Sequence, residues 1–238
     1  MKNMHGIIFS YEKRNDLREL VDIRTAASIP FGGRYRAVDF ALSNLMNAGA
    51  TDVGVVLHGR YQSLLDHLGS GKDWELSRKH GGLRILPPFG YSGQGTREYQ
   101  GNVEALAGVA SYLRHIRQDY VIMGWGDTAV NLPVDEIFEK HLATGADVTV
   151  VCTPTMKGAP HFSSYVETDA DGRITDLSVH PAATDKQLES LEVYVISKQL
   201  LIDLVMMDPR STSRKQAEAL VDEILDLPYH ADMKAWYK

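Results

Sequence analysis

Four short runs rich in apolar and β-branched residues, 6–9, 52–57, 120–123 and 147–152, alternate with amphipathic segments at 35–48, 102–116, 134–144 and 214–225. No other feature constrains the fold as much. A strand that is apolar along its whole length has to be covered on both faces, and the helices between such strands supply the cover in a largely parallel sheet. The expected class is therefore α/β and Rossmann-like, with helices flanking a mostly parallel sheet. In open sheets of this kind ligands gather beyond the carboxyl ends of the strands. The loops opening at Ser10, His58 and Gly124 are where chemistry is to be sought.

A chain of 238 residues can bury one sizeable core, which predicts one large domain, with at most a small appendage. Hydrophobic residues at 44% and charged residues at 24% give no compositional case for disorder. The net charge is -6 and the basic residues are scattered among acids, so nucleic acid is not an expected partner. The only cysteine, Cys152, sits in an apolar run and reads as a buried, inert thiol, with no disulfide possible inside the chain. No apolar stretch is long enough to span a bilayer, and Met1-Lys2-Asn3 runs straight into the first strand without a signal-peptide core. A cytoplasmic location with no membrane partner is expected.

Two segments break the alternation. Residues 69–95, rich in Gly, Pro and charge, read as a mobile surface excursion holding one short strand at 83–86, with Trp74 and Tyr91 either contacting a partner or folding back on their own loop. Residues 164–168 and 173–177, joined by Asp169-Ala170-Asp171-Gly172, read as a small β-hairpin insertion. The nine histidines form no pair at metal-binding spacing, and His58, His67 and His80 read as ordinary polar residues in or near surface loops.

Taken alone, Gly32-Gly33 before a helix is a tight turn at least as readily as an anion cradle. The longer string, Pro30-Phe31-Gly32-Gly33-Arg34-Tyr35-Arg36 running into Asp39-Phe40-Ala41-Leu42-Ser43-Asn44, resembles the ADP-glucose pyrophosphorylases (glucose-1-phosphate adenylyltransferases). These are enzymes of the sugar-nucleotidyltransferase, GT-A-like fold that join glucose 1-phosphate to ATP and release pyrophosphate. Asn47-Ala48-Gly49, Tyr99-Gln100-Gly101-Asn102-Val103-Glu104, Gly126-Asp127, Asp171-Gly172-Arg173-Ile174 and Leu191-Glu192-Val193-Tyr194-Val195 continue the resemblance in order. It covers nearly the whole chain and implies a nucleotidyltransferase-like domain over 1–238.

Against that background the departures fall where the family handles substrates. The family's first loop, Gly-Gly-x-Gly-(Ser/Thr)-Arg-Leu, holds the triphosphate; here Ser10-Tyr11-Glu12-Lys13-Arg14-Asn15-Asp16 has no glycine, and Glu12 and Asp16 repel phosphate. The family's Lys-Pro is Ala26-Ala27, its base-recognising glutamine aligns with His58, and its Gly-Thr-Ala-Asp-Ala is Gly101-Asn102-Val103-Glu104-Ala105. The Glu-Lys-Pro that grips glucose 1-phosphate is Val179-His180-Pro181. Each lost hydrogen bond or phosphate charge is worth about 1–3 kcal/mol in a site shaped for it. Together the losses predict no turnover.

By the same resemblance, Gly32, Gly33, Arg34, Arg36, His58, Gly101 and Asn102 stand at remnant nucleotide or phosphate positions, and Val179 and His180 at remnant sugar-phosphate positions. Asp127 corresponds to the aspartate that helps hold catalytic Mg²⁺ and reads as an inherited remnant, an aspartate after a strand also being a common turn cap; the partner carboxylate would come from around Asp222 or Glu223, but these fall on a helical pattern and read as solvated residues. No cofactor is required, and Mg²⁺ is expected only if nucleotide still binds. The wording of Arg24-Thr25-Ala26-Ala27-Ser28-Ile29, of Tyr61-Gln62-Ser63-Leu64-Leu65-Asp66-His67 and of Gly82-Leu83-Arg84-Ile85-Leu86-Pro87-Pro88 is similar to the GlgD-type branch. That resemblance implies a catalytically deficient regulatory subunit acting on a catalytic GlgC-type partner in glycogen synthesis, with a sugar-phosphate effector. The family's left-handed β-helix repeats are not visible, so a fragment or a shortened member is expected. Two rivals remain: an active transferase using Lys13, Arg14, Arg34 and Arg36, and a stand-alone sugar-phosphate sensor using Arg34, Arg36 and His180.

Overall fold

In the computed structural model, which describes residues 3–10, 17–87, 102–154, 164–179 and 187–206, strand β1 (Met4–Ser10) is buried at all seven positions. It lies at the centre of the first of two compact units, residues 1–99 with 116–136. This unit also holds β2 (Pro30–Phe31), β3 (Tyr35–Arg36), helix α1 (Ala37–Asn47), β4 (Asp52–Leu57), helix α2 (Gln62–Leu68), β5 (Gly82–Leu86) and β6 (Tyr120–Trp125). Its sheet has the order β5-β4-β1-β6 and every pair is parallel. Helix α1 buries Val38, Leu42 and Leu45, an i, i+4, i+7 stripe. A Cβ on Gly6 would stand 2.6 Å from Leu45 Cδ1 and 3.2 Å from Val53 Cγ2, so glycine is what lets α1 approach β1.

The Asn47-Ala48-Gly49 string is the helix stop. Gly49 has φ +86°, its N–H donates to Met46 O at 2.9 Å, and Ala50 N–H donates to Leu45 O at 3.0 Å, the two bonds of a Schellman motif. The amino edge of the sheet is tied by Asp52, which accepts the Gly82 N–H at 3.1 Å, Gln118 Nε2 at 2.5 Å and Thr51 Oγ1 at 3.2 Å.

The second unit, residues 100–115 with 137–238, holds helices α3 (Asn102–Gly108) and α4 (Ala110–His115), most of α5 (Val134–Thr144), strands β7 (Val148–Pro154), β8 (Ser164–Thr168), β9 (Ile174–Val179) and β10 (Leu188–Ser197), and helix α6 (Lys198–Met206). Its strands run β7-β10-β8-β9 and every pair is antiparallel. The hairpin at the Asp-Gly turn forms as expected: Asp169 Oδ1 accepts the N–H groups of Asp171 and Arg173 at 3.0 and 2.9 Å, and Gly172 takes φ +79°. His141 joins α5 to β7 through Nδ1 and Thr149 Oγ1 at 2.8 Å.

The expected α/β class with a parallel central sheet and flanking helices is what the structure shows; in its antiparallel part the hairpin and the strand expected at 147–152, now β7, were legible, but β7 pairs antiparallel with β10. Four expectations on local structure need correction. Tyr35 and Arg36 are a strand, not the start of a helix, because Tyr35 pairs back onto Phe31 and Arg36 onto Pro30. The helix expected over 102–116 is two helices, parted after Gly108, a poor helix former. Residues 69–87 are integral to the fold: Leu76 is buried, β5 pairs along β4, and Trp74 folds back edge-on to His67 with ring centroids 5.9 Å apart. His58 is buried, not a surface residue. The segment 214–225 and Tyr91 lie outside the described residues.

Candidate functional site

The carboxyl edge of the parallel sheet brings three chain segments together. Ser10 is paired with Leu57, which precedes His58, and Phe9 with Trp125, which precedes Gly126-Asp127. Gly126 donates its N–H to Phe9 O at 2.8 Å. A Cβ there would meet Ile8 Cγ2 at 3.0 Å and Ala27 Cβ at 3.1 Å, so the short 3₁₀ turn Ala26–Ser28 rests directly on this edge. The buried hydroxyls of Ser10 and Thr25 have no hydrogen-bond partner among the described residues.

Asp127 is half-buried, with Thr128 Oγ1 donating to its Oδ1 at 3.4 Å. Its loop is held from outside by Asn44, which donates Nδ2 to Val130 O at 2.8 Å and accepts the Leu132 N–H on Oδ1 at 3.2 Å. Among the described residues no three His, Cys, Asp or Glu side chains are grouped so as to hold a metal ion. A Mg²⁺ ion here would have Asp127 from the described protein and would depend on nucleotide oxygens for its remaining charged ligands.

Gly32 and Gly33 form the tip of the β2–β3 hairpin with φ +58° and +93°, values that call for glycine, and among the described residues nothing lies within 4 Å of a Cβ at either position. Arg34 stacks over Tyr35 with its guanidinium carbon 5.5 Å from the ring centroid. Phe31 (51% exposed) and Tyr35 (50%) are exposed on the hairpin, Phe31 edge-on to Phe40.

Arg36 is committed to the protein. Its Nη1 donates to the Ser63 carbonyl and, at 2.6 Å, to Ser63 Oγ, which fastens the hairpin to α2. Its backbone N–H is accepted by Asp39 Oδ2 at 3.0 Å, and Asp39 Oδ1 accepts His67 Nε2 at 2.6 Å. The acceptor is a carboxylate, so Nε2 carries the proton. Arg36, Asp39, Ser63 and His67 thus make a polar brace between the start of α1 and α2.

Of the expected site residues, Gly32, Gly33, Arg34, Arg36, His58 and Asp127 lie in the first unit. Asn102 opens α3 in the second unit and is buried. Val179 is the last residue of β9, in register with Ser164, whose buried hydroxyl has no partner among the described residues. Gly101, His180, the loop residues 11–16, Asp222 and Glu223 lie outside the described residues. Cys152 is buried, and desolvation pushes its thiol up to about 12, the behaviour of an inert core residue. Sequence reasoning missed Asn44 and the Asp39–His67 pair.

The sequence model of the nucleotidyl transferase family matches residues 17–236. Glucose-1-phosphate adenylyltransferase of Thermotoga neapolitana is 32% identical over 210 residues, covering 87% of this chain and 49% of that protein. Its counterpart in Geobacillus stearothermophilus is 33% identical over 195 residues, covering 81% and 49%. The chain spans about half the length of the curated relatives it matches. A crystal structure from Bacillus anthracis, assigned as a glucose-1-phosphate thymidylyltransferase, superposes with a TM-score of 0.74 at 15% identity, covering 99% of this chain and 86% of that one, a likeness of fold alone. Among the described residues no helix is long and apolar enough to cross a membrane. With a match over 17–236 and a sheet of the corresponding fold, the chain belongs to the nucleotidyl transferase family.

Proposed function

We propose that the chain is an accessory, GlgD-type subunit of glucose-1-phosphate adenylyltransferase. On this reading it is deficient in catalysis and raises the activity of a catalytic GlgC-type homologue in a hetero-oligomer that serves glycogen synthesis in the cytoplasm. The observation that carries the reading is the commitment of Arg36. The first loop, 10–16, contains no glycine to cradle a triphosphate, and an active transferase would have to replace that cradle with nearby cations. Arg36 is bonded twice to Ser63, and Arg34 is stacked on Tyr35. Moving Arg36 to a phosphate would break charge-assisted bonds worth about 1.5–3 kcal/mol each.

Gly32, Gly33, Arg34, His58, Gly101 and Asn102 on the nucleotide side, and Val179 and His180 on the sugar-phosphate side, are then inherited positions without their original chemistry. Asp127 would hold Mg²⁺ only together with a bound nucleotide, and a sugar phosphate is the class of effector to be expected. The reading is tested by pyrophosphate release from ATP and glucose 1-phosphate with Mg²⁺ and this chain alone. Silence is expected; turnover in the ordinary enzymatic range of about 1–1000 s⁻¹ would show that the first loop has been rebuilt to work.

A further inference from the structure

Asn44 is 7% exposed on the buried side of α1, and its carboxamide hydrogen-bonds at both ends to the loop between β6 and α5. Val130 O and Leu132 N–H are two residues apart, so the carboxamide pairs with the loop backbone as a neighbouring strand's peptide group would. The chemistry assigns its two ends: a carbonyl can only accept and an N–H can only donate, so Nδ2 must face Val130 and Oδ1 must face Leu132. Asp has the reach but no donor when ionised, Gln is a methylene longer, and Ser is too short to span both groups. Among the described residues the loop's other backbone bonds in this stretch are local, Val130 N–H to Thr128 O at 3.2 Å and Val134 N–H to Leu132 O at 2.9 Å, while Gly126 is anchored at its start on β1.

We infer that Asn44 is the positioning residue of the Asp127 loop. Its carboxamide fixes the backbone at residues 130 and 132 and thereby sets where Asp127 stands at the carboxyl edge of the sheet. Asp39, at the other end of the same helix, holds the backbone of Arg36 at the base of the Gly32-Gly33 hairpin. One helix therefore sets both elements against the sheet. Any consequence for Mg²⁺ rests on the family reading of Asp127; the ordering of the loop does not.

The test is amide hydrogen exchange on the full chain, wild type against Asn44→Leu and Asn44→Asp, with β4 as the internal reference. At pH 7 both variants should exchange about tenfold faster at Leu132 and its neighbours, the effect of one lost buried hydrogen bond, with β4 changed less than about twofold. At pH about 4, once rates are corrected for intrinsic exchange, Asn44→Asp should recover protection, because the protonated acid regains a donor for Val130; Asn44→Leu should not. Unchanged loop protection, equal acceleration in β4, or the same pH response in both variants would overturn the inference. If the Leu variant does not fold, the pH-dependent rescue of the Asp variant decides alone. No nucleotide or metal enters the readout, so this inference and the functional reading fail separately.

Discussion

Acid should remove about 3 kcal/mol of stability through a single residue, His5. This side chain lies on the central strand, 3% exposed. Burial penalises its charged form and lowers its pKa to about 4, with the nearby Asp52 carboxylate opposing part of that shift. The folded pKa lies below the unfolded value of about 6.5, so in the interval the unfolded chain binds the proton first, and stability falls as pH falls. The contribution is intact above pH about 6.5, is reduced by about 2 kcal/mol at pH 5 and about 3 kcal/mol at pH 4, and levels off below that as the folded state also takes up the proton. That is a large fraction of the 5–15 kcal/mol typical of a domain. Urea unfolding at pH 7, 5 and 4 is to be compared with that of His5→Leu. Carboxylates elsewhere titrate in both proteins and cancel in the difference, which should shrink by about 3 kcal/mol in favour of the variant between pH 7 and 4. A difference that stays flat across this range would refute the argument that desolvation keeps His5 neutral.

A double-mutant cycle between Arg36→Ala and Ser63→Ala should show a coupling of about 1 kcal/mol in unfolding free energy; zero coupling would return Arg36 to the list of available cations. Gly81→Ala places a methyl carbon where Asp52 Oδ1 is 1.8 Å away, at a φ of +78°. It should destabilise by about 3 kcal/mol or more, and thermal melting would detect it; an unchanged melting temperature would mean that the amino-edge knot around Asp52 is slack.

The parallel half of the fold was legible because burial on both faces leaves a nearly unbroken apolar run, as in β1 and β4. Strand β10 was not. Glu189, Ser190 and Glu192 interrupt its apolar pattern although all three are buried, and a bulge between Ser190 and Val193 resets its alternation, with Glu192 at φ +54°. The Gly-Gly signature was legible as a motif but not as a hairpin, since a three-residue turn between two-residue strands has no periodicity to read. At the candidate site, residue identity pointed to Arg36 and Asp127, but a sequence does not say that an arginine is already bonded. The contacts Arg36–Ser63, Asp39–His67 and Asn44–Val130 span 27, 28 and 86 residues of chain, beyond any local pattern.

On the function proposed above, this chain acts on a homologous catalytic subunit and not on substrate itself. The most direct measurement titrates the chain into a fixed amount of the same organism's catalytic homologue and follows pyrophosphate release from ATP and glucose 1-phosphate with Mg²⁺. The account predicts a saturable rise in the partner's rate or substrate affinity, reached at a fixed ratio of chains. A partner whose kinetics stay unchanged at every ratio would contradict it.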